Sequence, residues 1–93
     1  MCTMIVETAE ISGSGKGPQD WFDVQKVAVS YDHPYHVPLE HAVNIDFLNE
    51  SMGPAARVAV ELTPESARQL AQLILKALER GQTQPWELVS ENC

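Results

Sequence analysis

Basic residues are scarce in this chain, with six Lys and Arg against 13 Asp and Glu and a formal net charge of -7. Lys16, Lys26, Arg57, Arg68, Lys76 and Arg80 form no run, whereas affinity for nucleic acid or anionic lipid rests on clustered cations. Both are set aside as partners, which leaves a cation, a small molecule or another protein; the acidity also keeps the chain soluble. Cysteine is equally sparse, with Cys2 and Cys93 almost at opposite ends of 93 residues. No spacing suggests a disulfide framework or a Cys-x-x-Cys metal knuckle, and a reducing compartment fits best. No apolar run approaches the ~18 to 20 residues of a bilayer span. Met1–Glu10 has neither the basic start nor the apolar stretch of a secretory signal, so a cytoplasmic protein is expected. Internal repeats and low-complexity stretches are lacking too.

What is present reads as one ordinary soluble domain. Hydrophobic residues make up 44% and charged residues 20% of the chain, too apolar for a disordered segment and enough for a single core. Thr3 to Ile11 is rich in β-branched types and reads as a strand, broken by the loop Ser12-Gly-Ser-Gly-Lys-Gly-Pro18. Trp21 to Tyr31 is a second strand. Its apolar parity flips near Gln25 and Lys26, which predicts a bulge or a sheet buried on both faces. Asp32 to Glu40 carries Pro34 and Pro38 and reads as a stiff connection. His41 to Asn49 and Arg57 to Leu62 alternate as third and fourth strands around the turn Glu50-Ser-Met-Gly-Pro54.

Thr63-Pro64-Glu65 is a strong helix start, combining a capping hydroxyl, a proline at the first helical position and an acid at the positive end of the dipole. The helix is predicted from Pro64 to Arg80 with Gly81 ending it. Ala67, Leu70, Ala71, Ile74, Ala77 and Leu78 form its stripe. Leu73 and Leu75 widen the apolar arc to roughly 200°, more than the ~100° that a surface helix needs. Residues 82–93, with Trp86, Leu88 and Val89, form a tail expected to dock on the domain or on a neighbouring subunit.

The uneven feature is histidine. His33, His36 and His41, all three in the chain, lie beside Asp32, Tyr35 and Glu40. Imidazole is the commonest metal ligand near neutral pH, and a His-x-x-His step braced by prolines could hold two nitrogens about a metal, with Cys2, Asp32 or Glu40 as a further ligand. The bland alternative is a set of hydrogen-bonded rim histidines, since the spacing matches no zinc-finger or His-Glu-x-x-His pattern. Gly13-Ser-Gly-Lys-Gly17 fails the P-loop test, with Gly17 where a Ser or Thr should hold magnesium and a strand following; a hairpin turn explains it better. Ser30-Tyr-Asp-His-Pro34 makes no triad, because neighbours on a strand point to opposite faces. Asp23, Asp46 and Glu61 read as solvated outward carboxylates.

One helix can cover one face of a four-stranded sheet. With Ile5, Ala9, Phe22, Val24, Ala42 and Leu48 assigned to the other face, several apolar groups would stay wet, each forgoing ~1.5 to 3 kcal/mol of burial when large. A partner subunit, the tail or a ligand would cover them, and a symmetric homodimer is the default assembly. The segments MCTMIVETAEISGSGKG, YDHPYH, EHAVNIDF and RVAVELTPESARQLAQLILKAL resemble a group of short bacterial proteins classed only as a domain of unknown function. The resemblance covers about residues 1 to 81 and implies a bacterial source, but no activity and no catalytic residue.

The sequence thus predicts an α+β domain over residues 1–81, an antiparallel four-stranded meander with one C-terminal helix on one face. The leading functional reading is a non-enzymatic homodimeric binding or assembly module with no catalytic residue. Its ligand surface comprises Tyr31, Tyr35, His36 and His41. The alternative is a small metalloprotein, extending to an enzyme, that holds zinc or another transition metal through His33, His36, His41 and Cys2.

Overall fold

Alternating apolar and polar residues along four stretches have to present one greasy face each, and in the computed structural model, which describes residues 5–82, they do so side by side. Strands β1 (Ile5–Lys16), β2 (Trp21–Asp32), β3 (Ala42–Leu48) and β4 (Arg57–Leu62) pair antiparallel in chain order, and helix α1 (Pro64–Gln82) follows. The α+β meander read from the sequence is the fold.

Register determines the two faces. Ile5 lies opposite Tyr31, Tyr31 opposite Val43 and Val43 opposite Leu62; the next row on that face is Glu7, Val29, Ile45 and Val60, and then Ala9, Val27, Phe47 and Val58. This is an apolar floor with a single charge. The reverse face carries Val6, Ser30, Asn44 and Glu61, then Thr8, Ala28, Asp46 and Ala59, then Glu10, Lys26, Leu48 and Arg57. It is predominantly polar. The expectation that Ile5 and Ala9 share a second greasy face is therefore corrected, since both stand on the floor beneath the helix side.

Phe22 and Val24 are corrected as well, because they are buried with Ala56 against Phe47 and Val58. The register shifts between Glu10 and Gly13, opposite the stretch where the apolar parity of β2 changes. Beyond this bulge β1 continues to Lys16, so the predicted loop from Ser12 is mostly strand. Gly15 permits this: a Cβ there would stand 3.0 Å from Val24 Cγ2 and 3.5 Å from Phe22 Cζ. The hairpin turns only at the end, where the Gly17 N–H donates to the Asp20 carbonyl at 2.9 Å.

Asn49 closes the β3–β4 connection. It is 2% exposed; its Nδ2 donates to the Asp23 carbonyl at 2.8 Å, and its Oδ1 accepts from the Ser51 N–H at 3.2 Å and the Ser51 hydroxyl at 2.6 Å. A short 3-10 turn, Glu50–Met52, follows, and Gly53 leaves it at φ +93°, a conformation that favours glycine.

Thr63 caps α1 as predicted, its hydroxyl accepting from the Ser66 N–H at 3.1 Å. The helix runs two residues beyond Arg80, to Gln82, so Gly81 does not end it. The remaining expectation for the tail falls on residues 83–93, outside the described residues, as does Cys2.

Candidate functional site

The connection between β2 and β3 is where chemistry-bearing residues gather. Pro34 and Pro38 have no N–H and bracket three residues that do. The amides of those three converge on one carboxylate: Tyr35 N–H donates to Glu61 Oε2 at 2.5 Å, and His36 and Val37 N–H donate to Glu61 Oε1 at 2.8 and 3.2 Å. Consecutive amides of this kind form an anion-binding nest, filled here by a side chain of β4. The Tyr35 amide above all, with those of His36 and Val37 and the nearby His36 charge, holds the Glu61 carboxyl below the usual range against an opposing desolvation. The reading of Glu61 as an idle outward carboxylate is thus corrected. The signal that could have found it is the pair of prolines, which marks a loop whose intervening amides need an acceptor off the loop.

A second device fixes the loop's ends. The Tyr31 and His41 rings stack at 5.3 Å between centroids and 6° between planes, and His33 stacks on His41 at 5.3 Å and 20°. Tyr31, His41 and His33 form a column with His41 in the middle. The predicted convergence is met by these two histidines and not by His36, which is exposed and contributes its main chain. Tyr35 is 89% exposed and presents a free-standing ring. Among the described residues no three His, Cys, Asp or Glu side chains are placed to hold a metal ion. The metal set His33, His36 and His41 is therefore not assembled: His33 and His41 stack on one another, and His36 does not join them in a ligand group. Cys2 lies outside the described residues.

Below the loop on the polar face is a cleft of about 220 Å³, bordered by Asp32, His33, Asn44, Asp46, Arg57 and Glu61. Arg57 donates from Nε and Nη2 to Asp46 Oδ1 at 2.9 and 2.7 Å, so Asp46 too has a partner. Asn44 Oδ1 is buried there with no hydrogen-bond partner among the described residues.

An opening larger than this cleft lies on the other face. Between α1 and the floor is a groove of about 500 Å³, bordered by Tyr31, Val43, Ile45, Leu70 and Ile74 among others. No helix residue is buried. Leu70, Leu73, Ile74, Leu75 and Leu78 are between 41% and 67% exposed. Tyr31 belongs to both places, bordering the groove and carrying the histidine column.

No helix among the described residues is long and apolar enough to cross a membrane. No curated protein and no solved structure matches the chain. A family model does, over residues 1–88, and the chain belongs to the Family of unknown function (DUF6295).

Proposed function

We propose that this protein is a non-enzymatic assembly module, a cytoplasmic homodimer that closes its apolar face against a second copy and offers the loop of Tyr35, His36 and His41 as its ligand-facing surface. The observation that carries the reading is a helix of 19 residues with none buried, standing over an apolar floor. Leaving five large side chains half wet forgoes several times the ~1.5 to 3 kcal/mol that one such burial yields. That is comparable to the whole stability of a small domain. The radius of gyration, 15.5 Å, exceeds the ~12 Å of a close-packed chain of this length, in keeping with an elongated molecule of 49 × 31 × 20 Å that leaves much surface uncovered. Contiguous exposed apolar patches of this kind mark interaction surfaces, and isologous two-fold dimers are the commonest closed assemblies.

The proposed ligand surface draws support from order: the Glu61 nest and the ring column hold an otherwise exposed loop in one shape, as a recognition surface requires. Light scattering of the full chain up to high micromolar concentration tests the assembly. Twice the chain mass is expected, and a chain that stays monomeric throughout would overturn the proposal.

A further inference from the structure

The assembly proposed above needs a seam, and among the described residues the sheet has an uncovered edge along Val6–Glu10. β1 is outermost, with all but one of its 12 residues exposed, and among the described residues no strand pairs with its outer side. Unpaired edges of this sort recruit another strand unless charged side chains, proline or a bulge block them; the charges here are Glu7 on the floor and Glu10 on the reverse face, and the register of any added strand has to accommodate both. From Val6 to Glu10 there is no lysine and no proline. The bulge comes only afterwards, between Glu10 and Gly13, and bounds the open stretch on that side.

We infer that a second copy of this chain pairs antiparallel along Val6–Glu10 of β1, with Thr8 opposite Thr8 of the partner subunit. Resting on the dimer reading, the inference adds the surface and the register. Two rules leave little choice of register. Directly opposed residues must share a face of the pleat, which restricts the two-fold to a residue and excludes positions between residues. Like charges directly opposed are destabilising, which disfavours centring on Glu7 or Glu10. Centring on Ala9 would carry the ladder into the bulge, and centring on Val6 would pair most of the stretch with residues before Ile5, outside the described residues. With Thr8 at the centre, Glu7 meets Ala9 and Glu10 meets Val6, so no carboxylate faces another. Because the axis of an antiparallel pair stands perpendicular to the sheet, both apolar floors then lie on the same side. A seam of five residues per copy buries less than the ~1,200 Å² of total area that a stable interface needs; the half-wet helix stripes over a doubled floor are the surface available to complete it.

Cysteine cross-linking in a Cys2→Ser, Cys93→Ser background, combined with sedimentation, tests the seam. Opposed residues of an antiparallel pair stand ~4.5 to 5.5 Å apart at Cα, within disulfide reach. Glu10 would stand ~14 Å from its own symmetry mate at ~3.4 Å per residue. Thr8→Cys is therefore expected to cross-link at least tenfold faster than Glu10→Cys. Val6→Glu, which places a carboxylate opposite Glu10, should weaken the dimer at least threefold, while Val6→Lys at the same exposed position should not weaken it. A dimer in which Thr8→Cys shows no such preference, or in which Val6→Glu and Val6→Lys behave alike, overturns the seam and leaves the assembly standing. A chain that sediments as a monomer at every concentration overturns both.

Discussion

Glu61 concentrates the chemistry of the loop in one titratable group. A carboxylate whose folded pKa lies below its unfolded value contributes stability that is complete above the unfolded value and is lost as pH falls through the folded one. Glu61 is lowered chiefly by the Tyr35 amide. Hydrogen-exchange protection at Tyr35, His36 and Val37 should therefore persist as pH falls from neutral through the ordinary Glu value, ~4.3, and give way only below it. In Glu61→Gln one acceptor oxygen becomes an amide nitrogen facing a donor. Protection at these three residues should then be weaker at neutral pH and show no step in acid; wild-type-like protection would contradict the role assigned to the carboxylate. Asn49 makes a complementary case for a neutral side chain. Its amide satisfies Asp23 and Ser51 together, and a buried donor or acceptor left unmatched costs ~1 to 3 kcal/mol. Asn49→Ala should lose about that much in urea unfolding, and Asn49→Ser should recover little, being too short to span both partners.

At the scale of elements, the two glycines of β1 separate packing from backbone freedom. A Cβ at Gly15 would press on buried Val24, whereas one at Gly13 meets nothing within 4 Å. Gly15→Ala should cost ~1 to 3 kcal/mol as an overpacked site, and Gly13→Ala should stay within ~0.5 kcal/mol as an open one. Equal effects on the thermal midpoint would remove the idea that β1 curls over Phe22 because Gly15 makes room. The same strand shows what was legible in the sequence. Periodicity fixed the third and fourth strands to within a residue, and Thr63 with Pro64 fixed the start of α1, because these signals are local. A run of glycines reads locally as a loop; here it is strand, since its small residues seat a Phe and a Val from the neighbouring strand. Glu61 and Asn49 escaped for the same reason, their partners lying 24 to 26 residues away. For the histidines the sequence showed proximity and a possible convergence. Only the fold shows that His33 and His41 stack on Tyr31 while His36 stays apart.

For the whole molecule, the question is how an apolar excess confined to one face is resolved. The reverse face is too polar to need cover, which narrows the demand to the floor and the stripe of α1. Leu73 and Leu75 are 56% and 67% exposed, so a charge at either barely disturbs the isolated chain but must be desolvated when a second copy covers the helix. Leu73→Glu and Leu75→Glu should each keep the circular dichroism of the parent and raise the dimer dissociation constant at least tenfold, or about 1.4 kcal/mol. Charge supplies an independent check, because two copies each at -7 repel one another across the interface. The Debye length shortens from ~30 Å at 0.01 M salt to ~10 Å at 0.1 M, so the dimer should tighten over that interval as self-repulsion is screened. An assembly held mainly by salt bridges would loosen instead. Sedimentation equilibrium at the two salt concentrations distinguishes these outcomes, since hydrophobic closure against a repulsive background and ionic pairing predict opposite signs for the same measurement.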